Sequence, residues 1–239
     1  MIVAIDIGNT RLKWGVRDAG AWLDWGALPT ADVVSLEDVA RNWPAQGRII
    51  ACNVAGAAVE KAFTLALGEQ AARLHWLRSG AQACGVRNGY EQPEKLGADR
   101  WAALIGARGR VSADCLVVCA GTATTVDRLD ADGLFRGGLI LPGSDLMRSA
   151  LAQNTAQLPL VSGHYRELPC NTADAIVSGC LQAQLGAIER MYAALADVPG
   201  AVCLMTGGAA QGLAGRLNIP SRLVENLVLE GLVRFMTSQ

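Results

Sequence analysis

The chain has 239 residues, of which 51% are hydrophobic and only 18% charged. That composition excludes disorder as the main state and supplies enough apolar side chains for one large domain or two compact halves. Lysine and arginine number 21 against 22 aspartates and glutamates. This near-neutral balance, with no basic block, predicts no nucleic-acid partner and no anionic-membrane partner.

The first expected element is a strand at Ile2–Asp6, a β-branched run that ends in Gly8-Asn9-Thr10. A second alternating stretch, Leu12–Val16, follows at once, so the segment reads as strand, tight turn, strand. Further strands are expected at Trp22–Ala27 and Arg48–Cys52, and helices at Leu36–Trp43, Ala57–Leu67 and Ala98–Gly109. Cys115–Cys119 is the next buried strand, and it runs into Gly121-Thr122 and a polar-alternating strand through Asp127. The device at Gly8 thus recurs at Gly121, which predicts an internal duplication. Two related halves are expected: an N-terminal one over 1–110 and a C-terminal one over 111–239.

Beyond the second turn, Leu134–Leu141 reads as a strand stopped by Pro142-Gly143. Ser144 and Asp145 stand where an N-cap precedes a helix at Leu146–Gln153. The longest helical pattern runs from Thr172 to Leu195. Its apolar stripe is Ile176, Cys180, Leu181, Leu185, Ile188, Tyr192 and Leu195, at three- and four-residue steps. A final buried strand, Ala201–Met205, closes on Thr206-Gly207-Gly208 and precedes a helix. The fold class is α/β.

Two histidines, His75 and His164, leave no room for chemistry that needs several imidazoles. Seven scattered cysteines without a CxxC pair exclude a disulfide framework or a zinc knuckle and read as small apolar residues in a reducing compartment. Asp6, Arg11 and Lys13 interrupt any leader-type apolar run, and no stretch approaches the ~20 residues of a membrane span. A cytoplasmic location is expected.

Three motifs carry chemistry. In Asp6-Ile7-Gly8-Asn9-Thr10-Arg11-Leu12-Lys13, a glycine turn lets backbone N–H groups approach a polyphosphate. Lys13 offers positive charge there, and Asp6 can hold Mg²⁺ directly or through water. Gly121-Thr122-Ala123-Thr124-Thr125 repeats the turn chemistry in the second half, and Gly207-Gly208 would let a flat base or ribose approach the backbone. Asp99 and Arg100 open a helix. Asp99 reads equally as a cap at the positive end of that helix and as a carboxylate able to take a hydroxyl proton. Arg100 reads equally as a surface ion-pair partner and as a fork for a carboxylate or phosphate. The residues alone do not choose.

The ordered set Asp6-x-Gly8-Asn9-Thr10-x-x-Lys13, Tyr90-x-x-Pro93-x-x-Leu96-Gly97-x-Asp99-Arg100 and Gly121-Thr122-Ala123-x-Thr125 resembles type III pantothenate kinase. Gly137-Gly138-x-Ile140-x-Pro142-Gly143, Asn171-Thr172, Gly207-Gly208 and Leu227–Leu232 extend the resemblance over nearly the whole chain. It implies two ribonuclease-H-like, actin-like ATPase halves around a nucleotide cleft, in a homodimer. It also implies phosphorylation of pantothenate by ATP, the first step of coenzyme A biosynthesis. By the same resemblance, Asp6–Lys13 and Thr122 contact ATP and Asp99 accepts the proton. Tyr90, Gly97, Ala98, Asp99 and Arg100 line the pantothenate pocket, and Thr172 contacts the substrate from the other subunit. Many members carry an aspartate for a monovalent cation (K⁺ or NH₄⁺) where this chain has Cys119, a poor ligand for a hard cation, so K⁺ independence is expected. Ala209 replaces the acidic residue that often follows the glycine pair. The competing readings are a kinase for another small hydroxyl acceptor and a non-catalytic nucleotide-binding regulator.

Overall fold

A computed structural model of the chain describes residues 1–158, 160 and 162–239. It divides into two compact units. The first comprises Met1–Ser112, Asp132–Phe135 and Asn226–Gln239, and the second comprises Ala113–Ala131 and Arg136–Glu225.

In the first unit, β1 (Ile2–Ile7), β2 (Arg11–Asp18) and β3 (Ala21–Pro29) form an antiparallel meander. Next come α1 (Leu36–Ala40), β4 (Arg48–Asn53), α2 (Ala57–Ala66) and β5 (Leu74–Trp76). β4 and β5 join in parallel beside β1, giving the order β3-β2-β1-β4-β5. The expected helix at Leu36–Trp43 forms only as the short α1, because Thr30–Ser35 before it takes the tighter 3₁₀ form and Arg41–Trp43 continues as a turn. The unit continues with β6 (Gln82–Ala83), β7 (Val86–Asn88) and α3 (Ala98–Arg108). β7 pairs with Leu134 and Phe135.

The second unit repeats this design. β8 (Cys115–Ala120), β9 (Ala123–Leu129) and β10 (Leu134–Pro142) are the meander. β10 begins within the first unit at Leu134–Phe135 and continues here from Arg136. α4 (Ser144–Asn154) and α5 (Thr172–Tyr192) follow, then β11 (Val202–Thr206), α6 (Ala210–Ala214) and β12 (Ser221–Leu223). β11 and β12 add in parallel beside β8, so the order β10-β9-β8-β11-β12 matches that of the first sheet strand for strand. β8 therefore corresponds to β1, and the Gly121 turn to the Gly8 turn.

Packing follows the sequence stripes. On α5, Ile176, Cys180, Leu185, Ile188, Tyr192 and the following Leu195 are buried while Leu181 is half-buried, and Tyr192 Oη donates to Ala201 O at 2.8 Å. Each such side chain contributes about 1.5–3 kcal/mol on burial. The last helix, α7 (Leu227–Thr237), packs on α3 in the first unit. Their backbones touch through glycine: a Cβ on Gly231 would meet Ala102 O at 1.8 Å, and one on Gly106 would meet Leu227 O at 2.5 Å. Glu230 then fixes α7 to the sheet, accepting from Arg17 at 3.0 Å and Trp22 at 2.9 Å and pairing with Arg110 at 3.2 Å. Among the described residues no helix is long and apolar enough to cross a membrane, and none of the seven cysteines is joined in a disulfide.

Candidate active site

The site in the first unit is built at the end of β1. Ile7 pairs with Leu12, so Gly8 to Arg11 form the hairpin loop, closed by Gly8 N–H donating to Arg11 O at 3.0 Å. Thr30 organises this loop from behind: its hydroxyl donates to Gly8 O at 2.7 Å and its N–H to Thr10 O at 3.0 Å. With two carbonyls turned back onto Thr30, the exposed Asn9 makes no hydrogen bond to any described residue. Its backbone and side-chain amides are donors available to an anion. Thr30 escaped the sequence reading because it stands far along the chain with no motif around it.

Asp6, just before the loop, lies opposite Lys13 in β2 and Cys52 in β4. The fully buried Cys52 thiol donates to Asp6 Oδ1 at 3.5 Å. Burial, followed by the nearby charge of Asp99, raises the Asp6 carboxyl to about 6, against a smaller lowering by Lys13 and the thiol. Cys52 is itself pushed well up by burial and by the same carboxylates. Its location beside Asp6 has a signal in sequence only through strand register, which the parallel β1–β4 pairing supplies.

Asp99 is the second residue of α3, after Gly97 as N-cap and Ala98. Its carboxylate accepts hydrogen bonds from backbone, its own N–H and that of Arg100, the latter at 2.8 Å. Burial nevertheless outweighs those amides and the Arg100 charge, and the carboxyl is raised. Asp99 therefore meets the helix start, as one of the two readings left open by the sequence expects, while burial leaves its carboxylate poorly solvated.

Arg100 is buried, 4% exposed. Its Nη1 donates to Tyr90 Oη at 2.7 Å, and the guanidinium lies 5.5 Å from the Tyr90 ring and 5.8 Å from the Phe135 ring. Those two rings stack at 5.4 Å. The surface ion-pair reading of Arg100 is thus excluded by its burial. Asn88 holds the Tyr90 segment, donating to Gly80 O and Pro93 O and accepting from Tyr90 N. Phe135 was invisible in the sequence as a site residue, since it reaches Tyr90 only through the β7–β10 pairing.

In the second unit three glycine motifs converge on the end of β8. Gly121 N–H donates to Ala123 O at 3.0 Å and Gly143 N–H to Thr122 O at 2.8 Å. A Cβ on Gly143 would meet Gly121 O at 2.3 Å, and one on Gly207 (φ +102°) would meet Ala120 O at 2.2 Å. Gly208 faces open space. Gly143, not Ser144 or Asp145, is the N-cap of α4, and Ser144 is its first helical residue. Its hydroxyl instead takes a hydrogen bond from the buried Gln184 at 2.6 Å. Cys119 faces Thr125 across β8–β9, and the Thr125 hydroxyl is buried with no partner among the described residues. Thr172 is exposed at the first turn of α5, capped by Asn171, and lines an open apolar groove of about 1160 Å³ with Pro142, Met147, Leu151 and Ile176.

A sequence model of type III pantothenate kinase matches residues 2–194. The type III pantothenate kinase of Aromatoleum aromaticum is 56% identical over 97% of this chain and 96% of its own length. The chain belongs to the type III pantothenate kinase family. It is a kinase, and the family's fold extends to solved structures of lower identity. A Campylobacter jejuni protein assigned to the Baf family of transcriptional activators superposes with a TM-score of 0.65 at 20% identity, covering 99% of this chain and 98% of that one. A Sinorhizobium meliloti protein assigned as 2-dehydro-3-deoxygalactonokinase gives 0.58 at 15% identity, covering 100% and 97%. At those identities the likeness establishes the sugar-kinase and actin-like ATPase fold alone.

Proposed function

We propose that the chain transfers the γ-phosphoryl group of ATP to the primary hydroxyl of pantothenate, giving 4′-phosphopantothenate and ADP, the first step of coenzyme A biosynthesis. Family membership over nearly the full length supports the reaction. The observation that carries the residue assignment is Asp99, a carboxylate raised by burial and held by backbone amides at the start of α3. In this reading the Asp6–Lys13 loop receives the phosphates, with Asn9 amides and the Lys13 ammonium opposing their charge. Thr122 supplies a further ATP contact. Tyr90, Gly97, Ala98 and Arg100 line the pantothenate pocket, where the buried guanidinium suits the vitamin's carboxylate. Asp99 takes the alcohol proton as the oxygen attacks.

No cluster of three or more His, Cys, Asp or Glu side chains able to hold a metal occurs among the described residues. Asp6 alone, raised by burial and by Asp99, suits Mg²⁺, which keeps several waters and binds through one or two carboxylates plus substrate phosphates. When bound, Mg²⁺ neutralises charge on the transferring phosphoryl group. A monovalent cation does not fit the second turn: the Cys119 thiol and one Thr125 hydroxyl are not a hard-cation donor set. The apolar groove beside Thr172 supports a homodimer in which Thr172 reaches the partner's substrate. The absence of an apolar spanning helix among the described residues is compatible with a cytoplasmic location.

The test is Asp99→Asn. Turnover should fall about 10²–10⁴-fold, with the ATP dissociation constant unchanged within about twofold. Equal loss of turnover and of ATP binding would make Asp99 a structural cap and sink the assignment.

A further inference from the structure

The nucleotide turn of the second unit is gripped from two sides by one buried side chain. Gln184 on α5 is 1% exposed and Thr124 on β9 is 0% exposed. Thr124 Oγ1 donates to Gln184 Oε1 at 2.6 Å, Gln184 Nε2 donates to Ser144 Oγ at 2.6 Å, and Nε2 also reaches Cys180 O at 3.3 Å. The orientation of the amide is dictated chemically. A backbone carbonyl only accepts, so the atom facing Cys180 O is the nitrogen, and the oxygen must face the Thr124 hydroxyl.

Both partners adjoin the same turn. Thr124 stands two residues after Thr122, on the strand that leaves it. Ser144 follows Gly143, whose N–H donates to Thr122 O and whose Cα has no room for a side chain against Gly121 O and Thr122 O. Gln184 therefore bridges the outgoing strand to the start of α4, and the Thr122 turn lies between the two anchored points. Nothing in the residue pattern of α5 marks this, since Gln184 stands beside the apolar stripe that packs the helix.

We propose that Gln184 is a positioning residue for ATP: it holds the Thr122 turn at the distance from α4 at which that turn contacts the nucleotide. The inference rests on the reading of Thr122 as an ATP contact. A buried amide with each of its polar atoms paired is costly to leave half-satisfied, so the arrangement has one register rather than a range. Displacing a contact group by about 1 Å is enough to weaken a preorganised site substantially.

The experiment uses the 239-residue chain and five variants: Gln184→Met, Thr124→Val, the two combined, Thr124→Ser and Thr122→Ala. Melting temperature, the ATP dissociation constant measured well below melting, and the Michaelis constants for both substrates are read for each. Gln184→Met and Thr124→Val should each raise the ATP dissociation constant and ATP KM about tenfold. The pantothenate KM should stay within about twofold, because Tyr90, Gly97, Ala98 and Arg100 lie in the first unit and Thr172 stands at the first turn of α5, well before Gln184 on that helix. The double variant should be no worse than the weaker single one, as expected of two halves of one clamp, and Thr124→Ser, which keeps the hydroxyl, should restore ATP affinity. Lower melting temperatures with unchanged ATP affinity would overturn the inference and leave Gln184 a packing residue. If Thr122→Ala itself leaves ATP affinity intact, the reading of the turn fails and the inference with it. If Thr122→Ala weakens ATP while the clamp variants do not, only the inference fails. Thr124→Val is nearly isosteric and keeps the test open should Gln184→Met not fold.

Discussion

The loop that is proposed to hold the phosphates should be a source of instability in the protein without ligands, and Asp6 gives the size of the effect. Its carboxyl is raised from 3.8 to about 6, first by burial and then by Asp99. A carboxyl raised on folding binds its proton more tightly in the folded state. Its ionised form therefore destabilises the fold, and the penalty lessens as pH falls through about 6 and is gone below 3.8. At about 1.4 kcal/mol per pH unit, the full penalty near pH 7.5 is about 3 kcal/mol. By pH 5 about 1.4 kcal/mol of it has been relieved. Asp6→Asn keeps an oxygen for the Cys52 thiol and removes the charge, so it should stabilise the free protein at pH 7.5 by up to about 3 kcal/mol. For a chain of this size that is about 6–12 °C in melting temperature.

Urea unfolding in the presence of a chelator, followed by tryptophan fluorescence, measures this directly. All six tryptophans lie between Trp14 and Trp101, hence in the first unit, and the signal reports the unit that contains Asp6. The advantage of Asp6→Asn should narrow by about half between pH 7.5 and pH 5. Adding Mg²⁺ with ATP should stabilise wild type and not the variant. If Asp6→Asn is no more stable than wild type at pH 7.5, or its advantage does not shrink on acidification, the carboxyl is not raised and the electrostatic description of the loop is wrong.

Three further outcomes are expected. Replacing K⁺ by a bulky organic cation should leave turnover within about twofold, since Cys119 and Thr125 supply no hard-cation site; a large loss in a steady-state assay would refute this. Gly231→Ala places a methyl against Ala102 O, where a Cβ would come within 1.8 Å. It should force α3 and α7 apart and cost at least the 1–3 kcal/mol typical of overpacking, read as a drop in the tryptophan-detected transition; unchanged stability would show that α7 docks elsewhere. Phe135→Leu removes the ring stacked on Tyr90 at 5.4 Å. It should raise the pantothenate KM about five- to tenfold with little change in kcat, in line with the ~0.5–1.5 kcal/mol of an aromatic pair. An effect confined to kcat would argue against a role in binding.

The duplicated turns were legible because each needs a glycine at a sharp reversal immediately after a run of β-branched or small apolar residues, and both requirements are local. The α5 stripe was legible for a similar reason, as its periodicity depends on one helix alone. What stayed hidden depends on register between distant strands. Cys52 meets Asp6 only because β4 pairs in parallel with β1, Phe135 meets Tyr90 only because β10 begins beside β7, and Thr30 meets the Gly8 loop through a hydrogen bond across 22 residues. Ser144 misled for a different reason. A serine before a helical run has the chemistry of a cap, but Gly143 can lie flat against the Thr122 turn where no side chain fits, and the helix starts at Ser144 and not at the expected Leu146.

The same residue type does opposite work in the two units, and the difference separates scaffold from site. In the first unit, Gly106 and Gly231 let two helix backbones meet, and filling either position would disturb the packing of α7 on α3. In the second, Gly143 and Gly207 let backbone approach the end of β8, where the Thr122 turn leaves the sheet. Gly208, by contrast, borders open space, so an added methyl there costs the fold little and would be felt only by whatever lies against that backbone. Stability measurements on glycine variants would therefore register Gly106 and Gly231 strongly, while Gly208→Ala should register only when ATP is present. That contrast distinguishes glycines the fold requires from one that a bound nucleotide would require.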